Sequence, residues 1–287
     1  MSRRAAVALG AILAVYVSSV LAHLKVALWL VQRRESDLLG SYRLADFLPH
    51  AGAVMLTGVL IWQARRAWHG HNRKTTLAAW AAWLAAAVLV DRFLIFSLPE
   101  YLHYPHYALL AYMVARLADP DRGALAVGPV LLVVTVLGII DETLQYCWIT
   151  ISYSNYLDFN DFLLNQLGGA AGLLLYYGFT SGAEPSRIRA GARHGLLGFA
   201  WLGTVIMLII ATMQTTSTDL SLLRPIERQP SYNSWIPGPH AGRYYVLDPV
   251  SGSLILVGLG ALASALPTMR RRRNKPIPGS ARRALSS

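Results

Sequence analysis

Long apolar segments, separated by short polar ones, constrain this chain more than any other feature of its sequence. A helix needs about 20 mostly apolar residues to cross the hydrocarbon core of a bilayer. Seven segments meet this requirement: 5–24, 45–64, 76–97, 124–147, 159–179, 195–214 and 249–267. An eighth segment, 104–118, is shorter and partly polar, and we count it as a tilted or locally thinned span. The sequence therefore predicts an all-α polytopic transmembrane bundle with about eight spans.

Composition agrees with a membrane protein. Of the 287 residues, 54% are hydrophobic and only 14% are charged. Soluble domains carry about a quarter charged residues. The single cysteine, Cys147, excludes an intramolecular disulfide and a metal site built from several cysteines.

The distribution of basic residues predicts the orientation. With eight spans and cytoplasmic termini, most of the 26 Lys and Arg residues fall in cytoplasmic segments, as the positive-inside rule requires. The tail segment TMRRRRNK is then expected to lie against anionic membrane lipids, which accounts for the net charge of +11 without nucleic acid as a partner. We expect a multi-pass membrane protein.

Three regions divide the predicted bundle. Residues 1–75 form an N-terminal two-span segment, residues 76–180 a four-helix core, and residues 181–287 a C-terminal two-span segment with the basic tail. The extracytoplasmic loop 215–248 is long and rich in Pro and aromatic residues, and loops of this kind are often functional or docking elements. Other membrane subunits are the partners we would expect there.

Polar residues interrupt two neighbouring predicted spans at the same depth. At 1.5 Å per residue, Gln145 and Glu142 lie roughly 7 Å and 12 Å below the outer end of one helix. Asp161 and Asn165 lie roughly 5 Å and 10 Å below the outer end of the next. The two sets therefore occupy the same outer third of the membrane, and a short loop joins their helices.

The polar residues also share helix faces. Asp158, Asp161, Asn165, Gly168 and Gly172 are spaced by 3, 4, 3 and 4, which places them on one stripe of a helix. The glycines at 168, 169 and 172 would let another helix approach closely.

The predicted result is one outward-facing acidic pocket. Its polar lining comes from these two helices and from the segment 99-PEYLHYPHY-107: Glu100, His103, Asp141, Glu142, Gln145, Asp158, Asp161 and Asn165. Ionised side chains in hydrocarbon cost several kcal/mol, so such residues normally have polar partners. Carboxylates this crowded require raised pKa values, a bound cation, or balance by His103 or by the charge partner Arg92.

Other interpretations of the same residues remain open. Asp158 is also a good N-cap for its helix, with Asp161 complementing the helix dipole. His103 is a metal-ligand candidate together with Glu100, Glu142 and Asp161. Because the chain has neither an H-E-x-x-H pattern nor paired cysteines, we predict no metal and no other cofactor.

Three segments in residues 91–180 resemble the VanZ-like family of integral membrane proteins. They are 99-PEYLHYPHYALL-110, 138-GIIDETLQ-145 and 158-DFNDFLLNQLGGAAG-172, in the family's order and spacing. The chain departs from the family's usual acidic residue at His106. It also departs from the usual basic residues at Tyr101 and Asn155, and the loss of these two basic groups argues against an anionic ligand held by them. The resemblance implies a multi-pass protein of the bacterial inner membrane with a role at the cell envelope. The founding member is associated with teicoplanin resistance, and no reaction is established for the family.

Three classes of function follow from these residues. The leading hypothesis is a pocket that binds or processes a lipid headgroup or cell-envelope component, with Glu142 as general base and His103 as the second proton-transfer group. A non-catalytic accessory subunit of a larger membrane complex is the alternative, because buried polar residues also hold membrane helices together. A transporter or proton relay is less well supported, because the inner half of the bundle has no comparable polar set.

Overall fold

The computed structural model describes a large part of the chain, in separate stretches. The described residues are 10, 12–14, 16–18, 44–68, 73–95, 98–120, 122, 126–149, 156–178, 190–216, 232–237 and 243–273.

Helices with defined bounds account for most of the described residues. They are α1 (Leu44–Trp68), α2 (Arg73–Leu94), α3 (His103–Ala118), α4 (Val127–Leu144), α5 (Phe159–Tyr177), α6 (Ala190–Thr216) and α7 (Pro249–Arg273). A 3₁₀ turn at Leu98–Leu102 leads into α3, and a π-helical turn at Gln145–Ile149 continues α4. Helix α3 ends just before Pro120, because Asp119 leaves the helical conformation, as steric contact with a following proline favours.

Three of the helices are long and apolar enough to cross a membrane: Lys74–Leu94, Val127–Cys147 and Gly195–Met213. Pro249–Ala265 is apolar but shorter. The chain is thus a helical membrane protein. The count of eight spans and the cytoplasmic termini remain predictions, and most of the first predicted span, together with the tail after Arg273, lies outside the described residues.

The exposed surface of the outer helices fits a lipid environment. Helix α2 exposes Val88 and Leu89, and α6 exposes Phe199 and Ile209, each with about half or more of its surface accessible. Large apolar side chains exposed on helices of this length suit contact with hydrocarbon.

Helix α5 lies at the centre and is buried along nearly its whole length. Polar contacts tie it to its neighbours, since the Trp83 indole donates to the carbonyl of Leu167 at 2.9 Å. The Gln166 amide also donates to Thr135 Oγ1 on α4 and to the carbonyl of Leu256 on α7, both at 3.1 Å. Hydrogen bonds between buried side chains and backbone carbonyls fix the rotation of α5, and hence which residues face α3 and α4.

A β-hairpin occupies part of the predicted loop 215–248. Strands β1 (Ser234–Pro237) and β2 (Arg243–Val246) pair antiparallel, with Ser234 opposite Val246. Residues 217–231 and 238–242 of that loop lie outside the described residues. The hairpin leads directly into α7 and lies against the start of α5, at the same end of the bundle as the predicted polar pocket.

Candidate functional site

Three helix ends meet at this end of the bundle, which we call the site end. They are the start of α3 at His103, the last turn of α4 at Asp141 and Glu142, and the first two turns of α5 at Asp161 and Asn165. The structure thus brings together acidic and amide residues that the sequence predicted to share one height. All of these side chains except that of Asp161 are buried.

The amide of Asn165 joins His103 to Glu142. His103 Nδ1 lies 2.6 Å from Asn165 Oδ1, and Asn165 Nδ2 donates to Glu142 Oε1 at 3.2 Å. Because the amide nitrogen donates to the carboxylate, the amide oxygen is left to accept the proton of His103 Nδ1. Glu142 Oε1 lies 3.5 Å from the same imidazole nitrogen.

Asp161 lies near the other nitrogen of the imidazole. Its Oδ1 is 3.9 Å from His103 Nε2, within ion-pair range but beyond a hydrogen bond. That oxygen is buried and has no hydrogen bond to any other described residue. Single ligand atoms of His103, Glu142 and Asp161 all lie within 4.8 Å of one another, so this trio is geometrically capable of holding a metal ion.

Asp141 belongs to a second set of hydrogen bonds, deeper in the bundle. It accepts from Tyr107 at 2.8 Å and from Gln145 at 3.1 Å. Gln145 Nε2 also lies 3.3 Å from Glu142 Oε2, so its amide bridges the two neighbouring carboxylates. Gln145 begins the π-helical turn, a feature that often occurs at functional sites.

Asp158 caps α5 at the edge of the cluster. Its Oδ1 accepts from the backbone N–H of Asn160 at 2.9 Å, which is the N-cap geometry that the sequence allowed for this residue. Its Oδ2 accepts from Tyr244 of the hairpin at 3.0 Å, and Tyr244 shares a short hydrogen bond with Tyr156. Burial raises the pKa of Asp158 to about 6, although the N–H and tyrosine donors oppose the shift.

The glycines of α5 lie where other helices come closest. A Cβ added to Gly172 would overlap the carbonyl oxygen of Ala108, and one added to Gly168 would lie 2.8 Å from that of His103. Both face α3. Gly169 faces α4 instead, where its Cβ would meet a Val134 methyl group at 3.0 Å. Glycine thereby lets α5 approach α3 closely enough for Asn165 to reach His103.

Two of the predicted site residues, Glu100 and Arg92, are less buried than Asp141 and Glu142. Glu100 is half-buried in the 3₁₀ turn and close enough to act electrostatically on Glu142 and Asp161. Arg92 is exposed on α2, and the structure does not bring it into the cluster. Among the described residues, the group found within ion-pair distance of the acids is His103.

Sequence reasoning missed three residues that hold this arrangement together. Tyr107 bonds Asp141, Tyr244 bonds Asp158, and Asn160 is fully buried between the hairpin and α2. The Asn160 amide donates to the carbonyls of Leu94 and Tyr245, and its oxygen accepts from the N–H of Leu247. The available signal was the position of Asn160 inside the D-x-N-D run, where an uncharged amide between two acids suggests a bonding role.

A further glycine, Gly138, was also missed. A Cβ there would lie 2.9 Å from the Cβ of Asn165. Since Gly138 precedes Glu142 by four residues, it leaves room on the same face of α4 for Asn165 to reach the carboxylate.

The arrangement defines a helical membrane protein with a buried cluster of ionisable groups, His103 among several acids, at one end of the bundle. Comparisons with protein-family models, with curated proteins and with solved structures find no match to the chain. The VanZ-like resemblance therefore remains a prediction from the three quoted sequence segments.

Proposed function

We propose that this protein is a VanZ-like polytopic membrane protein that binds the polar headgroup of a lipid or of another cell-envelope component at the site end. The observation that carries the proposal is the bond from Asn165 to Glu142, within a buried set of acids around His103. In the predicted topology, this end of the bundle faces outward.

The charge balance of the site supports a ligand with a positive group. Glu100, Asp158 and Asp161 lie near one another, and His103 is the nearby base among the described residues. Carboxylates that are partly removed from water gain from an opposite charge within about 4–6 Å. Glu100, Asp158 and Asp161 are all half-buried, so they are the acids that an arriving ammonium group would meet first.

The same geometry supports proton transfer to a bound headgroup. A general base must lie within hydrogen-bond reach of its partners, and an orienting group must hold it in place. Hydrogen bonds from Asn165 and Gln145 hold the Glu142 carboxylate in place, and the bond to Asn165 holds the His103 imidazole. Processing of the ligand would therefore use Glu142 as base and His103 as the second group, with Asp161 and Asn165 positioning the substrate.

The proposal is tested with the full chain in mild detergent. Thermal unfolding is followed with added phosphatidylethanolamine, and with phosphatidylglycerol as the matched lipid that has no amine. We expect phosphatidylethanolamine to raise the unfolding temperature more, and the Glu100→Gln variant to lose that difference. Asp119→Asn is the control, because this acid lies at the opposite end, where it accepts from Tyr177 at 3.1 Å.

Two results would count against headgroup binding. One is equal stabilisation by both lipids in the wild-type chain. The other is loss of the amine preference in Asp119→Asn but not in Glu100→Gln. If, in addition, the chain purifies from membranes in mild detergent only in a complex with other subunits, the accessory-subunit alternative would replace the proposal.

A further inference from the structure

Three groups of different chemistry, from three helices, converge at the centre of the site. They are the imidazole of His103 on α3, the carboxylate of Glu142 on α4 and that of Asp161 on α5. We propose that His103 Nε2, Glu142 and Asp161 together bind one divalent transition-metal ion, with zinc as the best fit. This differs from the absence of a metal that the sequence motifs predicted, and it rests on the proposed function because it names what the same site holds. With the ion bound, Glu142 and His103 would act as its ligands and not as proton-transfer groups.

The bond to Asn165 prepares His103 as a ligand. The Asn165 amide donates to Glu142, so its oxygen accepts from His103 Nδ1. A proton on Nδ1 makes Nε2 the unprotonated nitrogen, which is the one that can bind a metal. Metal-bound histidines usually have their second nitrogen fixed by such a bond, which sets both the tautomer and the ring orientation.

The position of Asp161 is the strongest indication that one metal ion binds between these side chains. Its buried Oδ1 has no hydrogen bond to a described residue and lies 3.9 Å from His103 Nε2. With that tautomer, both atoms present lone pairs to each other and no proton lies between them. Bonds of about 2.0–2.2 Å from zinc to nitrogen and to oxygen can together span up to roughly 4.3 Å. One ion bonded to both atoms therefore fits this separation at an open angle.

Glu142 can complete the set without losing its present contacts. Its Oε1 accepts from Asn165 and its Oε2 from Gln145, and each carboxylate oxygen has a further lone pair. When an ion binds, a neutral imidazole and two ionised carboxylates supply two negative charges, which balance the charge of a divalent ion.

The donor set selects the kind of ion. An imidazole nitrogen with two carboxylates suits zinc or a similar first-row ion, whereas calcium and magnesium prefer oxygen alone. Three protein ligands leave a fourth position for water or for an oxygen of the headgroup, as is typical of catalytic rather than structural zinc sites.

Metal analysis of the purified full chain tests the inference. Protein in mild detergent is stripped with a chelator, loaded with zinc, desalted and assayed for metal. We expect one zinc per chain in the wild type and loss of zinc in Asp161→Asn and His103→Gln. Asp119→Asn is the matched control and retains zinc, because it removes an acid at the opposite end of the bundle, where Asp119 accepts from Tyr177.

X-ray absorption of the zinc-loaded wild type gives a readout that needs no folded variant. The expected spectrum has one imidazole and otherwise oxygen ligands, with no sulfur. Substoichiometric zinc in the wild type, a spectrum without imidazole, or full zinc retention by Asp161→Asn would each overturn the inference.

The two proposals can fail separately. If the wild-type chain binds no zinc but still prefers phosphatidylethanolamine, the metal site is excluded and the headgroup proposal stands. Zinc binding without any lipid preference would support the metal site and remove the proposed headgroup.

Discussion

His103 Nδ1 and Asn165 Oδ1 lie 2.6 Å apart, although 62 positions separate the two residues in the chain. The contact fixes the imidazole at the start of α3 against the second turn of α5. Since the same amide donates to Glu142 on α4, one side chain aligns three helices at the site end. The relative positions of the ionisable groups therefore depend on Asn165.

Replacement of Asn165 by Ala tests that dependence. The change leaves the Nδ1–H group of His103 and one carboxylate oxygen of Glu142 without the amide as a hydrogen-bond partner. Each buried polar group left without a partner costs about 1–3 kcal/mol of stability. We expect a clear drop in unfolding temperature, measured by thermal unfolding in detergent. The control is Thr57→Ala, which removes an exposed hydroxyl bonded within α1. Surface changes of this kind usually alter stability by about 0.5 kcal/mol or less. Similar effects for the two variants would contradict the aligning role.

The closest approach of α5 to α3 gives a second prediction. In Gly172→Ala the new Cβ would overlap the carbonyl oxygen of Ala108, so the helices must move apart. Overpacking of this kind typically costs about 1–3 kcal/mol. Gly258→Ala on α7 is the matched control, since no atom lies in contact with its added Cβ. Alanine also favours a helix over glycine by up to about 1 kcal/mol. Unfolding temperatures should fall in the first variant and hold or rise in the second; the opposite order would refute the packing argument.

Local periodicity predicted much of this end of the molecule. Spacing alone placed Asp161, Asn165, Gly168 and Gly172 on one stripe, and in the structure all four face α3. Helix rise alone placed Glu142 and Asn165 at matching depths, and their side chains are in contact. These inferences succeed because the side chains within one helix are related by fixed geometry.

Contacts between distant segments were not predictable in the same way. The pairing of Tyr244 with Asp158, and of Asn160 with the carbonyl of Tyr245, joins residues far apart in the chain. Neither contact has a signal in the local sequence, because the position of the hairpin depends on the shape of the folded bundle. Arg92 is a further case: its position in an apolar segment suggested a partner for the acids, and in the structure its side chain is exposed. Which face of α2 is buried depends on the neighbouring helices.

The hairpin should depend on Asn160 for its attachment. Asn160→Ala removes the amide that holds the carbonyls of Leu94 and Tyr245 and the N–H of Leu247. We expect faster hydrogen–deuterium exchange of the β1 and β2 amides, because opening of the hairpin requires less free energy. Tyr245→Phe is the control, since it removes only an exposed bond to Asn233. Unchanged exchange in Asn160→Ala would show that other contacts hold the hairpin.

Asp158 should make stability depend on pH. Burial raises its pKa in the folded protein from 3.8 to about 6, so the folded state holds this proton more tightly than the unfolded state. Its contribution is complete below about pH 4 and is lost as the pH rises through about 6. Asn is a comparable N-cap but does not titrate. The stability of the wild type relative to Asp158→Asn should therefore be greater at pH 5 than at pH 7 in thermal unfolding. An equal difference at the two pH values would contradict the shift.

Reactivity of introduced cysteines tests the orientation of the bundle. Val250, at the start of α7, is exposed at the site end, and Pro120, after the end of α3, is exposed at the opposite end. The native Cys147 is fully buried and should give little background. If the site end faces outward, as the positive-inside rule predicts, a membrane-impermeant thiol reagent should label Val250→Cys in intact cells. Pro120→Cys should react only after the membrane is opened. The reverse pattern would place the acidic cluster on the cytoplasmic side, and a headgroup of the outer leaflet could then no longer be its ligand.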